Sequence, residues 1–156
     1  MPNITLDIEP ALRDDIISYF NRIPFDQLLG MQLTELSNER AVMHLPMQGE
    51  LIGNFIQGIL HGGAIASVLD VAGGAMAAAA AFTRHRHLPA AERAAKLAKL
   101  GTIDMRIDYL RPGRGLSFNA SAVLLRSGNK VAVVRSELHA DDGTLIAVGT
   151  STYLCG

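Results

Sequence analysis

Cysteine is almost absent from this sequence: Cys155 is the only one among 156 residues. That excludes an intrachain disulfide framework and a thiolate metal cluster, and it fits a reducing cytoplasm. Charge imbalance is absent too. Lys and Arg number 14 against 15 Asp and Glu, a formal net charge of −1, which argues against non-specific nucleic-acid binding but leaves local basic clusters open. The opening residues, MPNITLDIEP, have neither the basic start nor the apolar stretch of a signal peptide. Apart from one alanine run there are no repeats or low-complexity linkers. No strand–helix–strand alternation demands a parallel sheet.

What is present is a chain of 49% hydrophobic and 19% charged residues, ordinary for one soluble domain with a sizeable core over residues 1–156. Its centre is the run His61 to Phe82, HGGAIASVLDVAGGAMAAAAAF. Ala64, Ile65, Val68, Leu69, Ala72, Ala75, Met76 and Ala79 recur at three- and four-residue steps, and the neighbouring faces are almost as apolar, so the spacing predicts one buried helix. Its Gly and Ala content keeps it thin enough for a sheet to wrap closely. The run is long enough to raise the question of a membrane span, but Asp70 and the glycines Gly63, Gly73 and Gly74 tell against one. Asp70 is the only ionisable side chain between His61 and Arg84. A carboxylate there is expensive unless it is used or paired.

Before this run, residues 10–22 place Leu12, Ile16, Ile17 and Phe20 on one face of an amphipathic helix with Pro10 near its start. Pro24 breaks it, a short helical turn covers Phe25–Leu29, and Gly30 leads into strands Met31–Leu36 and Arg40–Leu45, joined as a hairpin. Residues 46–60 hold Gly49, Gly53 and Gly58 with no firm period, which predicts a loop delivering Asn54 and Gln57 toward the long helix. After it come the basic patch Arg84–His85–Arg86–His87 and a polar helix, Ala90–Leu100, both part of an 84–100 insertion. The remaining chain reads as four strands, Thr102–Leu110, Leu116–Arg126, Lys130–His139 and Thr144–Tyr153, with bends at Pro112–Gly115, Ser127–Asn129 and Asp141–Gly143. The outline is an α+β architecture with a curved antiparallel sheet around one long helix, plus an N-terminal helical extension over residues 1–30.

Two stretches carry a resemblance. Asn54–Phe55–Ile56–Gln57–Gly58–Ile59–Leu60–His61–Gly62–Gly63, with Asp70 nine residues beyond His61, precedes Gly101–Thr102–Ile103–Asp104–Met105–Arg106–Ile107–Asp108–Tyr109–Leu110–Arg111–Pro112. The combination resembles the hotdog-fold acyl-CoA thioesterases of the phenylacetic-acid-pathway type, and among them the bacterial YigI-like branch, over nearly the whole chain. The resemblance implies hydrolysis of acyl-CoA to a free acid and coenzyme A, with no metal and no bound redox cofactor. It also implies Asp70 as catalytic carboxylate, the Gly62 amide as oxyanion donor, Asn54 as a contact to water or carbonyl, and Thr102 as the residue that positions the acid or the water. A homodimer with shared sites, two such dimers forming a tetramer, is implied as well.

The residues can be read for this chemistry on their own. Thioester hydrolysis needs a group to activate or replace water and donors for the developing oxyanion. Asp70 can supply the first, as general base or as nucleophile. Glycines at the helix start can supply the second, because free N–H groups there point outward along the positive end of the dipole. The eight residues from Gly62 to Asp70 span about 12 Å of helix. One helix cannot bring both to one carbonyl, whereas a two-fold dimer with neighbouring antiparallel helices can.

Other positions have a chemical and a plainer reading. His61 is a general base or, more simply, a helix-start residue bonding through its ring or backbone; with Gly63 it lines the substrate's approach. Gln57 shares or takes the role of Asn54, which otherwise only orders its loop. Thr102 falls on the opposite strand parity from Ile103, Met105 and Ile107, so if those face the helix it acts from a subunit interface or from an irregular strand end. Arg111, Arg114, Arg126 and Lys130 can hold coenzyme A phosphates, with Gly128 allowing close approach, or are solvated loop residues. His85 and His87 lack a carboxylate or cysteine to complete a metal site. The apolar helix wall and the 84–100 insertion suggest an acyl tunnel for medium or long chains. Two other functions share these features: a non-catalytic acyl-CoA-binding or sensing module, and an enoyl-thioester hydratase or dehydratase.

Overall fold

Proline and glycine punctuate the N-terminal part of the computed structural model, which describes residues 4–156; the first three residues of the segment read for a targeting signal lie outside it. Helix α1, Pro10–Phe20, starts with proline in its first turn, where a missing N–H loses no helix bond. It buries Ile16 and Phe20. Helix α2, Pro24–Leu29, starts the same way and ends at Gly30, whose φ of 73° lies in the left-handed region that a glycine enters without strain. Strands β1, Gln32–Leu36, and β2, Ala41–Pro46, then pair as the expected antiparallel hairpin.

The central run forms one uninterrupted helix, α3, Gly62–Arg84. Every residue from Ala72 to Ala80 is buried. Around it curves a six-stranded antiparallel sheet in the order β1-β2-β6-β7-β8-β5, where β5 is Gly101–Tyr109, β6 Ser117–Ser127, β7 Val131–Ala140 and β8 Leu145–Leu154. This is the hotdog arrangement. The close approach depends on Gly73: a β-carbon there would meet the Tyr153 ring at 2.9 Å from Cζ and 3.0 Å from Cε2, and would press on its hydroxyl. By length and composition α3 would pass for a membrane span, but 67% of its most apolar stretch is buried inside the protein, the mark of a core helix. A second surface helix, α4, Ala90–Leu97, buries none of its residues.

Three features depart from the sequence reading. Residues 46–60 are more ordered than a loop, with a 3₁₀ turn at Gly49–Leu51 and a small hairpin of β3, Ile52–Asn54, and β4, Ile59–Leu60. Strands of two and three residues are too short to show alternation. The bend at residues 110–116 is a crossover rather than a hairpin, since β5 pairs with β8 at the sheet edge while β6 pairs with β2. Lastly, β5 carries a bulge: Thr102 lies opposite Tyr153 and Asp104 opposite Thr152, which leaves Ile103 unpaired and 54% exposed. An extra residue reverses strand parity at that point. Thr102 therefore joins Met105 and Ile107 on the inner face, and the irregular-strand reading of Thr102 is the observed one.

Candidate active site

The start of α3 leaves one backbone donor free. His61 is extended, with φ −63° and ψ 137°, and its Nδ1 accepts the Gly63 N–H at 2.7 Å. The Ala64 and Ile65 N–H groups donate to the His61 carbonyl. Among the described residues only the Gly62 N–H in this first turn has no partner. The Tyr109 hydroxyl donates to the Gly62 carbonyl at 2.9 Å and fixes the turn from outside. A cleft of about 350 Å³ opens here, lined by Leu60, Gly62, Ile65, Tyr109, Arg111 and Gly113 among others. His61 has the helix-start role, because an Nδ1 that accepts a hydrogen bond already spends its lone pair.

Two turns further along, Asp70 is half-buried. Thr102 Oγ1 donates to its Oδ1 at 2.9 Å. The buried Tyr153 hydroxyl donates to the Asp70 main-chain oxygen at 2.7 Å and approaches Oδ1 at 3.2 Å. Thr102 and Tyr153 are direct cross-strand partners, so the bulge presents both hydroxyls on one face. Both point at one oxygen, and Oδ2 has no hydrogen bond among the described residues. Burial, followed by the Asp70 charge, pushes the Tyr153 phenol well above its ordinary range, so it stays a proton donor.

The other sequence candidates divide. Asn54 Oδ1 accepts the Ile56 and Gln57 N–H groups at 3.1 and 3.2 Å, the loop-ordering role of an Asx turn. Arg114 donates to the Gln57 carbonyl at 2.9 Å and to its Oε1 at 3.0 Å, so these two hold each other beside the β3–β4 hairpin. Arg111 bonds the Leu145 carbonyl at 3.1 Å. The four basic residues proposed for phosphates do not converge in one chain. Arg111 and Arg114 lie near the helix start, where the Leu60 N–H donates to the Gly113 carbonyl, whereas Arg126, Gly128 and Lys130 flank the β6–β7 turn. That turn is tied to the opposite helix end, where Arg84 donates to the Ser127 carbonyl at 2.6 Å and to Asn129 Oδ1 at 3.3 Å. The ends of α3 are about 33 Å apart by helical rise. His85 and His87 stand with ring centroids 6.4 Å apart, and no group of three metal-ligating side chains forms among the described residues. Four residues escaped the sequence reading: Tyr153, Tyr109, Arg84 and Asp26.

A profile of the thioesterase superfamily matches residues 57–147. The medium/long-chain acyl-CoA thioesterase YigI of Escherichia coli K12 is 45% identical over 151 residues, 97% of each chain. The chain belongs to the thioesterase superfamily. YigI of Salmonella typhimurium is 44% identical over an equal span. A crystal structure of a Shewanella oneidensis protein related to the superfamily, 43% identical, superposes with a TM-score of 0.89 over 94% of this chain and 96% of that one. A thioesterase from Haemophilus influenzae keeps the fold, with a TM-score of 0.73 over 97% and 93% of the two chains, at only 15% identity.

This thioesterase also buries a carboxylate besides Asp70. Asp26, on α2, is 1% exposed, and neither of its oxygens has a hydrogen-bond partner among the described residues. Desolvation, then the charge of Asp70, raises its pKa from 3.8 to about 6. Between those two pH values the folded protein holds a proton that the unfolded chain has released. Stability is therefore full below pH 4 and falls as pH rises through 6, by an order-of-magnitude loss of about 3 kcal/mol. Asp26→Asn is expected to flatten this slope and to be more stable than wild type at pH 7.5. Urea denaturation at pH 4.5 and 7.5 checks it, and an unchanged slope would refute it.

Proposed function

We propose that the chain hydrolyses medium- to long-chain acyl-CoA to the free acid and coenzyme A, acting throughout its length as one thioesterase domain in the cytoplasm. The observation that carries this reading is Asp70, anchored through Oδ1 by two hydroxyls while Oδ2 remains open in an apolar setting. Oδ2 takes a proton from water as the water oxygen attacks the thioester carbon. The Gly62 N–H receives the developing oxyanion. Collapse of the tetrahedral intermediate expels the coenzyme A thiolate, and the proton on Asp70 passes to that sulfur. Water and chain residues supply every group in this scheme, with no resident metal or redox cofactor.

The geometry of one chain supplies half of each site. Gly62 and Asp70 are about 12 Å apart along α3, so the Gly62 donor comes from a partner subunit whose helix runs antiparallel. The open edge of β5 supports such pairing: Ile103, Tyr109 and the adjoining Leu110 are 54%, 55% and 49% exposed. In that arrangement Arg111 and Arg114 of one subunit and the 126–130 turn of the partner subunit reach the same end of the dimer, where both sets meet the coenzyme A phosphates. Two dimers associate into a tetramer. Light scattering should then give four times the 16.7 kDa chain mass.

The acyl chain follows α3. Asp70, Gly74, Ala78 and Phe82 succeed one another at four-residue steps on one face. Ala78 and Phe82 open into a cavity of about 440 Å³ between α1 and α4, lined also by Leu12, Ile16, Ala94 and Leu97. Its far wall at Phe82 is about 18 Å along the helix from Asp70, room for a medium or long chain. Ala78→Leu is expected to lower kcat/KM for hexadecanoyl-CoA at least about tenfold relative to hexanoyl-CoA. A parallel loss for both substrates would count against this path.

A thiol-release assay over an acyl-CoA length series tests the activity itself. Asp70→Asn should abolish turnover with the fold intact. Gly62→Pro removes the N–H at the first helical position, which tolerates proline; the extended His61 suits a following proline, and the added β-carbon would lie 3.4 Å from Tyr109 Cε1. It is expected to reduce kcat about 10²- to 10³-fold. Exchanging subunits between these two variants should restore about a quarter of wild-type activity, since half the dimers are then mixed and each mixed dimer has one intact site. No recovery would sink the shared site, and no thiol release from any acyl-CoA would sink the function.

A further inference from the structure

Strand β5 brings a hydroxyl to each of the two groups that the proposed hydrolysis uses. Its inner row is Thr102, Met105, Ile107 and Tyr109, with Met105 and Ile107 packed against the core. At one end Thr102 Oγ1 donates to Asp70 Oδ1 at 2.9 Å. At the other, the Tyr109 hydroxyl donates to the Gly62 carbonyl at 2.9 Å, and the Tyr109 ring lies so close that a β-carbon on Gly62 would stand 3.6 Å from Cζ. The bond from Tyr109 completes the accounting of polar groups around Gly62. The peptide joining Gly62 to Gly63 is pinned on both sides, since its oxygen accepts from Tyr109 and its N–H donates to His61 Nδ1 at 2.7 Å. The peptide joining His61 to Gly62 has its carbonyl taken by the Ala64 and Ile65 N–H groups at 3.0 and 3.1 Å. Of the bonds to these two peptides among the described residues, the one from Tyr109 alone comes from outside the helix start.

We propose that Tyr109 is a positioning residue for the hydrolysis: its hydroxyl, acting through the Gly62 carbonyl, holds the Gly62 N–H in the direction that the developing oxyanion requires. This rests on the reading of the Gly62 amide as the oxyanion donor. A donor lowers the barrier only if it is already aimed where the charge develops, because turning it at the moment of reaction takes back the gain. Glycine has no side chain to limit rotation about its backbone bonds, so the aim of this N–H depends on bonds made by other residues. Tyr109 supplies such a bond from a strand of the sheet, which a fraying helix end does not carry with it. Tyr109 touches no reacting atom in this scheme. In the shared site of a dimer, Thr102 and Tyr109 of one strand then serve opposite sites, the first through its own Asp70 and the second through the amide lent to the partner subunit. Tyr109 is 55% exposed, so its hydroxyl can be removed with little effect on the core.

The test is a double-mutant cycle on dodecanoyl-CoA hydrolysis, followed by thiol release, for wild type, Tyr109→Phe, Gly62→Pro and the double variant. Tyr109→Phe is expected to lower kcat about tenfold, the scale of a slightly misaimed group, with KM unchanged. Binding of S-dodecyl-CoA, a thioether that has no carbonyl, should stay as in wild type when measured by calorimetry. In the Gly62→Pro background, where the N–H is gone, Tyr109→Phe should cost nothing further, because both changes remove one interaction. A merely structural Tyr109 would lower kcat by the same factor in both backgrounds or weaken the thioether, and either result overturns the proposal. Light scattering of Tyr109→Phe should match wild type; a dissociated variant overturns it too, since the hydroxyl would then serve the subunit seam. Full kcat in Tyr109→Phe overturns the positioning role and leaves the thioesterase reading standing, whereas no thiol release by wild type from any acyl-CoA overturns both.

Discussion

A sheet can close around a helix only where the helix lacks bulk, and the rest of this structure follows from that constraint. From Ala72 to Ala80 every side chain of α3 is hydrogen or methyl except Met76, and every one is buried. The notch at Gly73 admits the Tyr153 ring. Because the ring seats there, its hydroxyl reaches back to the last polar side chain before the apolar stretch that runs to Phe82, and it bonds Asp70 at both main chain and carboxylate. Packing thus delivers a hydrogen-bond donor to the site. The same thinness lets β7 approach closely enough for the buried Ser136 hydroxyl to meet the Leu69 carbonyl at 3.4 Å.

Asp70 and Asp26 are treated unequally. Asp70 has hydroxyl donors and partial exposure; among the described residues Asp26 has no hydrogen-bond partner, and it is buried. A buried unpaired charge costs free energy that a leucine at the same place would not. Such a penalty is the common companion of a functional site, where groups are held in states that suit chemistry rather than stability.

The long helix also separates what it organises. Its N-terminus offers one free amide, its middle one carboxylate, and its ends two basic groups about 33 Å apart by helical rise. No bending of an intact α-helix removes that distance. In the proposed hydrolysis, reaction at one carbonyl then requires a second copy, which makes assembly part of that scheme. The exposed β5 edge, with its bulge and its apolar residues, is the surface that this demand leaves uncovered.

Much of this was legible in the residues themselves. The extent of α3, the hairpin of β1 and β2, the β6–β7–β8 meander and the glycine-rich helix start come from local periodicity and from turn chemistry, both encoded within a few residues. The isolation of Asp70 within an apolar run was equally local. What the tertiary structure alone decided was which distant side chains reach it. Ile103 reads as an inward strand residue until the register with β8 inserts a bulge and turns Thr102 inward. Tyr153 reads as one more apolar position until packing against Gly73 brings its hydroxyl to Asp70, and Asp26 as a first-turn acid of a short helix until the fold buries it. Patterns of two and of three to four residues record which face a side chain takes. They do not record the register of remote strands or the partner a buried group finds, because those depend on contacts between segments as far apart as Asp70 and Tyr153.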